Sequence, residues 1–249
     1  MAPVQAEANA AAQAARGPYT REQMARRVAL DIPEGSYVNL GIGLPTAVSD
    51  YLPADREIIL HTENGMLGMG PVAHGDNIDY DLINAGKIPV TELPGASYFH
   101  QADSFGMMRG GHLDVCVLGA FQVSTSGDLA NWHTGGADAI PAVGGAMDLA
   151  IGAKSVLVIM ELFTRDGHCK LVEECSYPLT GIGCVNAVYT DYGVFDVGAG
   201  GATVREIFGG TTLAELKRLT GLPLALSLAA PVAPPPASSS GGSSATLND

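Results

Sequence analysis

The segment Leu60-His61-Thr62-Glu63-Asn64-Gly65-Met66-Leu67-Gly68-Met69-Gly70-Pro71 is where chemistry is most legible in this chain. It sets a carboxylate, Glu63, directly after Glu57-Ile58-Ile59-Leu60-His61, an apolar run that reads as a strand. Ligands of open α/β sheets bind in the crevice outside the carboxyl ends of strands, so an acid at such an exit is placed to meet one. Glycines at 65, 68 and 70 let a ligand or another stretch of backbone come close. The same pattern also fits a solvated loop acid beside a glycine turn, and spacing alone leaves both readings open.

The remaining polar residues carry less. Gly41-Ile42-Gly43 after the run Tyr37–Leu40 hints at a phosphate turn, but Thr46 stands where a dinucleotide motif places its third glycine. Arg109-Gly110-Gly111-His112 offers a guanidinium and two backbone N–H groups to an anion, or else a structural ion pair. His61, His74, His100, His112, His133 and His168 show no metal-ligand spacing. No Walker-type GxxxxGK[ST], no HExxH and no GxSxG elbow occurs.

The elements that must position these residues alternate. Thr20-Arg21-Glu22-Gln23 is a capping-box pattern that opens a helix with Met24, Val28 and Ile32 on one stripe. Tyr37–Leu40 reads as a short strand, and Thr46 to Tyr51 as a helical turn. The runs Asp114–Gly119 and Ser155–Met160 are nearly continuous in apolar residues, as strands buried on both faces are. Gly144-Gly145-Ala146-Met147-Asp148-Leu149 reads as a glycine-rich approach to a helix, and Leu213–Leu219 as a helix that Gly221 stops. Strands alternating with helices predict an α/β fold with an open, mostly parallel sheet covered by helices, in a single domain over residues 19–228. Residues 1–18 are Ala-rich and 229–249 form a Pro/Ser/Gly tail, and both read as disordered ends.

The 249 residues carry 13 Lys and Arg against 26 Asp and Glu, a net charge of −13. That sign argues against a nucleic-acid partner or an anionic membrane surface, since both need a basic face. No apolar run approaches the roughly 18 residues of a membrane span. The N-terminus lacks the basic start and apolar block of a secretory signal. Cys116, Cys169, Cys175 and Cys184 show neither CxxC spacing nor disulfide density. A cytoplasmic chain with reduced cysteines is expected.

The run LHTENGMLGMGP resembles the signature of the second (B, or beta) subunit of the 3-oxoacid CoA-transferase family. The likeness extends from about Thr20 to Leu222, through YVNLGIGLPT (37–46), DLINAGK (81–87), LPGASYF (93–99) and SFGMMRGGHLDVCVLGAFQVS (104–124). It continues through GDLANWHTGG (127–136), AVGGAMDLA (142–150), LVEECSYPLTG (171–181) and VFDV (194–197). One departure is visible: Thr62 stands where the family usually has serine, and the hydroxyl is kept. The stretch NWHTGGADAIPAVGGAMD is more similar to the 3-oxoadipate-specific branch than to the acetoacetate branch, and Tyr98–Asp103 leans the same way.

The resemblance implies a CoA-transferase (NagB/RpiA-like) fold and a ping-pong exchange of CoA between succinyl-CoA and 3-oxoadipate in aromatic catabolism. Glu63 matches the family's covalent nucleophile. The backbone N–H of Gly145 resembles its oxyanion donor, although Gly144-Gly145 would equally serve as a tight turn. Asn64 and Gly65 are expected to position the nucleophile and, with Gly41, Gly43, Gly144 and Arg109, to form the substrate and CoA surface. CoA is a substrate here, and no tightly bound cofactor or metal is implied. The family pairs this chain with an A subunit in an α2β2 heterotetramer. Lys87, Lys154, Lys170 and Lys217 are spread along the sequence, so the positive groups for CoA are expected largely from that partner. Two competing readings are acetoacetate as acceptor and a non-catalytic acyl-CoA-binding homologue. A sugar-phosphate enzyme on a similar fold finds no motif.

Overall fold

The computed structural model describes residues 17–227, except Ala137 and Val143. The expected tail at 229–249 and all but the end of the Ala-rich 1–18 segment lie outside the described residues.

The capping box forms as the sequence dictates: Thr20 accepts from Gln23 N–H, and the Gln23 side chain accepts from Thr20 N–H, opening α1 (Arg21–Asp31). Strand β1 (Tyr37–Leu40) follows, then a 3₁₀ segment at Leu44–Tyr51. Three strands come next: β2 (Ile59–Thr62), β3 (Met66–Val72) and β4 (Val90–Tyr98). Helix α2 (Gln101–Arg109) leads to β5 (Val115–Leu118), β6 (Gln122–Ser124) and β7 (Leu129–Ala130). Helix α3 (Ala146–Gly152) feeds β8 (Ser155–Ile159), followed by β9 (Leu171–Val172), β10 (Ala187–Tyr189), β11 (Gly193–Asp196) and β12 (Thr203–Ile207). Helix α4 (Leu213–Thr220) stops at Gly221, whose φ of 72° is the left-handed cap that glycine adopts without strain, and β13 (Ala225–Leu226) ends the described chain.

The main sheet runs β13-β12-β11-β10-β8-β5-β1-β2-β3-β4. Its five central strands, β10, β8, β5, β1 and β2, are mutually parallel, and the neighbours on both flanks pair antiparallel. A second sheet of β7-β6-β9 packs beside it. The central strands show why the apolar runs are continuous. Val115 and Val117 pack on the face covered by α1 and the 3₁₀ segment, whereas Cys116 and Leu118 pack on the face of α2, α3 and α4. Leu157 and Ile159 oppose Val156 and Val158 in the same way. With helices over both faces, each residue of these strands is buried whichever way it points.

At the rim, Arg27 of α1 bonds Asp31 at 2.7 Å and Glu206 of β12, and Arg205 bonds Asp31 at 3.0 Å. These largely buried charges tie the first helix to the far flank of the sheet. All four cysteines are free, and no described helix is long and apolar enough to cross a membrane.

Candidate active site

Parallel strands end on one side of a sheet, and here their exits converge on a cleft of about 660 Å³. Gly41 and Ile42 leave β1, Glu63 leaves β2, Gly119 and Ala120 leave β5, and Met160 and Glu161 leave β8. The approach to α3, with Gly144 and Gly145, closes one wall, while Arg21 and Lys170 lie in the lining near Glu161. At Gly41 the β1 exit crosses the β5 exit so closely that its N–H reaches Val117 O at 2.8 Å, and a Cβ would stand 3.1 Å from the same oxygen.

Glu63 sits at the apex of the turn from β2 into the antiparallel β3, and three neighbours fix that turn. Gly65 N–H donates to Thr62 O at 3.1 Å, and Gly65 O accepts from Phe99 N–H at 3.0 Å. Gly65 has φ of 115°, and a Cβ there would run into Phe99 O, so both conformation and space require glycine. Asn64 is exposed and donates from Nδ2 to Ile83 O at 2.9 Å, which anchors the turn on the side away from the cleft. Below it, His61 is buried between Asn39 Nδ2 at 3.0 Å from its Nδ1 and Ser104 Oγ at 2.9 Å from its Nε2. Burial lowers the His61 pKa to about 4, so this histidine is neutral, with both nitrogens occupied, and is no general base for its neighbour. The Thr62 hydroxyl is buried and makes no hydrogen bond among the described residues.

The Glu63 carboxylate lies against Gly145, where a Cβ would overlap Oε2. Gly145 is the N-cap of α3, with φ −70° and ψ 0°. The first-turn N–H groups of a helix have no intrahelical partner and favour negative charge, which is what a carboxylate or a developing oxyanion brings. Desolvation, and then the nearby Asp148, raise the Glu63 pKa above the usual carboxylate range. The acid limb of any activity that needs ionised Glu63 is therefore set above that of a free glutamate. Asp148→Asn removes a like charge, so Glu63 ionises more readily, and that limb is expected to move to lower pH in the kcat/KM profile of the active enzyme. A profile that stays in place or moves upward would show that Asp148 does not act on Glu63.

The structure brings Glu63, Gly145, Gly144 and Gly41 together in the lining. It does not bring Asn64, Gly65, Gly43 or Arg109 there. Gly43, with φ of 90°, begins the 3₁₀ segment and faces open space. Arg109 donates from Nε to Asp148 Oδ1 at 2.6 Å with its guanidinium over the Phe105 ring. Asp148, Arg21, Glu161 and Lys170 stand in no motif that gives them a role in the sequence. Glu161 was findable, since it follows the buried run Ser155–Met160 as Glu63 follows its own. No three His, Cys, Asp or Glu side chains among the described residues come together as a metal site.

Comparison with known proteins adds the chemistry to this geometry. The coenzyme A transferase family profile matches residues 21–217. The B subunit of the 3-oxoadipate CoA-transferase of Acinetobacter baylyi is 58% identical over 205 residues, covering 82% of this chain and 94% of that protein. Its namesake in Pseudomonas putida is 60% identical, covering 82% and 96%. The human mitochondrial succinyl-CoA:3-ketoacid coenzyme A transferase 2 is 46% identical over 83% of this chain but only 40% of its own length. Among solved structures, an acyl-CoA transferase of Escherichia coli O157:H7 superposes with a TM-score of 0.66 at 20% identity, covering 84% of this chain and 42% of that one, a likeness of fold. The chain belongs to the coenzyme A transferase family.

Proposed function

We propose that this chain is the B subunit of a cytoplasmic succinyl-CoA:3-oxoadipate CoA-transferase that works through covalent intermediates on Glu63. The observation that carries the reading is the Glu63 carboxylate packed on Gly145 at the head of the strand-exit cleft. A Glu63 oxygen attacks the thioester carbonyl of succinyl-CoA, forming a mixed anhydride and releasing CoA thiolate. The thiolate then attacks the glutamyl carbonyl, which expels succinate and leaves a Glu63–CoA thioester. The carboxylate of 3-oxoadipate attacks that thioester, releasing thiolate and forming a second anhydride. Attack of the thiolate on its 3-oxoadipyl carbonyl yields 3-oxoadipyl-CoA and restores Glu63.

Dividing the exchange into anhydride and thioester steps keeps the acyl groups activated throughout. Each step passes a tetrahedral oxyanion, for which the Gly145 N–H is the donor nearest Glu63. Every attacking group is already an anion, so no general base is required, which agrees with the closed hydrogen bonding of His61.

The acceptor follows from the relatives: those named for 3-oxoadipate are 58–60% identical, whereas the human relative named for 3-ketoacids is 46% identical. A partner A subunit in an α2β2 assembly is supported by the names of the bacterial relatives, which are those of one subunit of a larger enzyme. CoA enters as a substrate. Purified with its partner, the enzyme is expected to transfer CoA from succinyl-CoA to 3-oxoadipate faster than to acetoacetate, and this chain alone to be inactive. An equal or greater rate with acetoacetate would overturn the acceptor. Full turnover by the isolated chain would overturn the need for a partner.

A further inference from the structure

The cleft has a second charged end. Lys170 lies in its lining, with its backbone fixed on both sides: its N–H donates to Leu162 O at 2.8 Å, and its carbonyl accepts from Val123 N–H at 2.9 Å. The cleft's other cation, Arg21, is spent, because both its Nε and Nη2 hold Glu161 Oε1 at 3.0 and 2.9 Å out in solvent. The Lys170 ammonium makes no hydrogen bond or ion pair within the described residues. It is half-buried, and desolvation lowers its pKa against the opposing pull of Glu161 and Asp191. A partly desolvated cation with no direct partner is unfavourable unless an anion joins it.

Between Glu63 and Lys170 the lining is apolar, with Leu40, Leu118, Leu149 and Ile159 among its residues. Three strand spacings, from β8 across β5 and β1 to β2, put roughly 14 Å between the outer exits. The Glu63 and Lys170 side chains shorten that span from both ends. The trough therefore suits an acyl group that has a reacting carbonyl at one end, methylenes in the middle and an anion at the other.

We propose that Lys170 is the subsite for the distal carboxylate of a dicarboxylic acyl group, and that it selects diacids over monoacids of equal length. The proposal rests on the transferase reading above. It also answers the acidity of the chain: one lysine inside the cleft suffices for the acyl end of the substrate.

The test uses the two-subunit enzyme and follows formation of the Glu63–CoA thioester in a single turnover, by mass spectrometry after borohydride reduction. Succinyl-CoA is compared with butyryl-CoA, which has the same chain length and no distal charge. Wild type is expected to favour succinyl-CoA. Lys170→Met is expected to slow the succinyl reaction about 10- to 100-fold, the range of a lost charge-assisted hydrogen bond, and to leave the butyryl reaction unchanged. Lys170→Arg, which retains the charge, is expected to keep the preference, with melting temperatures followed in parallel. If Lys170→Met melts like wild type but slows both esters alike, the cation serves the CoA phosphates and the proposal is wrong. Unchanged rates with both esters would overturn it equally. If the wild-type complex forms no adduct on Glu63, the transferase reading falls and the subsite falls with it.

Discussion

Glu63→Gln in the assembled enzyme is expected to abolish CoA transfer, with a loss of at least about 10³-fold in kcat, as removal of a covalent nucleophile does. The substitution keeps volume and hydrogen-bonding capacity but removes the anionic oxygen that forms both the anhydride and the thioester. No neighbouring group replaces it, because His61 is buried with both ring nitrogens engaged. Folding should not suffer. The turn is held by Gly65, Asn64 and Phe99 rather than by the glutamate side chain, and the change removes a like charge facing Asp148. The readouts are steady-state transfer and the mass of the peptide containing residue 63 after exposure to acyl-CoA and borohydride. Wild-type turnover by the Gln variant would exclude a covalent role for Glu63.

Gly145→Ala separates two explanations for the paired glycines at the head of α3. Were Gly145 only a turn residue, alanine would be tolerated, because φ −70° and ψ 0° are open to any residue. What requires glycine there is space, since a Cβ would overlap Oε2 of Glu63. That oxygen is the end of a flexible side chain, so the fold accommodates the methyl by moving the carboxylate. The cost falls on the reaction: kcat/KM is expected to drop about 10²-fold, as for a nucleophile displaced by an ångström, while the melting temperature changes little. Gly152, at the other end of the same helix, provides the contrast. A Cβ there meets the backbone carbonyl of Met108, which cannot rotate away, so alanine should cost stability instead. Full activity in Gly145→Ala would mean that the carboxylate and this amide do not act together.

The central sheet was legible in the sequence because its residues face no competing demand. Strands covered by helices on both sides must be apolar at every position, and the runs at 115–118 and 155–159 announce that directly. The capping box at Thr20 and the glycine stop at 221 are equally local signals. The antiparallel flanks and the small β7-β6-β9 sheet were not legible, since short strands with mixed burial show neither alternation nor a continuous run. Glu63 could be read because a motif surrounds it. Its electrostatic neighbour Asp148 lies 85 positions away and meets it only through the packing of α3 against the sheet, which no spacing reveals. Arg109 fits an ion pair as readily as an anion site in sequence, and in the fold it holds Asp148.

The cleft floor is drawn from residues near 41, 63, 119 and 160, each the end of a strand whose partner lies far off in the chain. Such parallel pairs close long loops before they gain contacts, a slow class of folding event. No single hairpin or helix of this protein contains a partial version of the site. The nucleophile, its amide neighbour and the lysine opposite therefore come into register only when the central strands do. A half-folded chain exposes Glu63 as an ordinary carboxylate, with nothing to aim it at a thioester. Premature acylation is thus avoided by topology, without any dedicated safeguard.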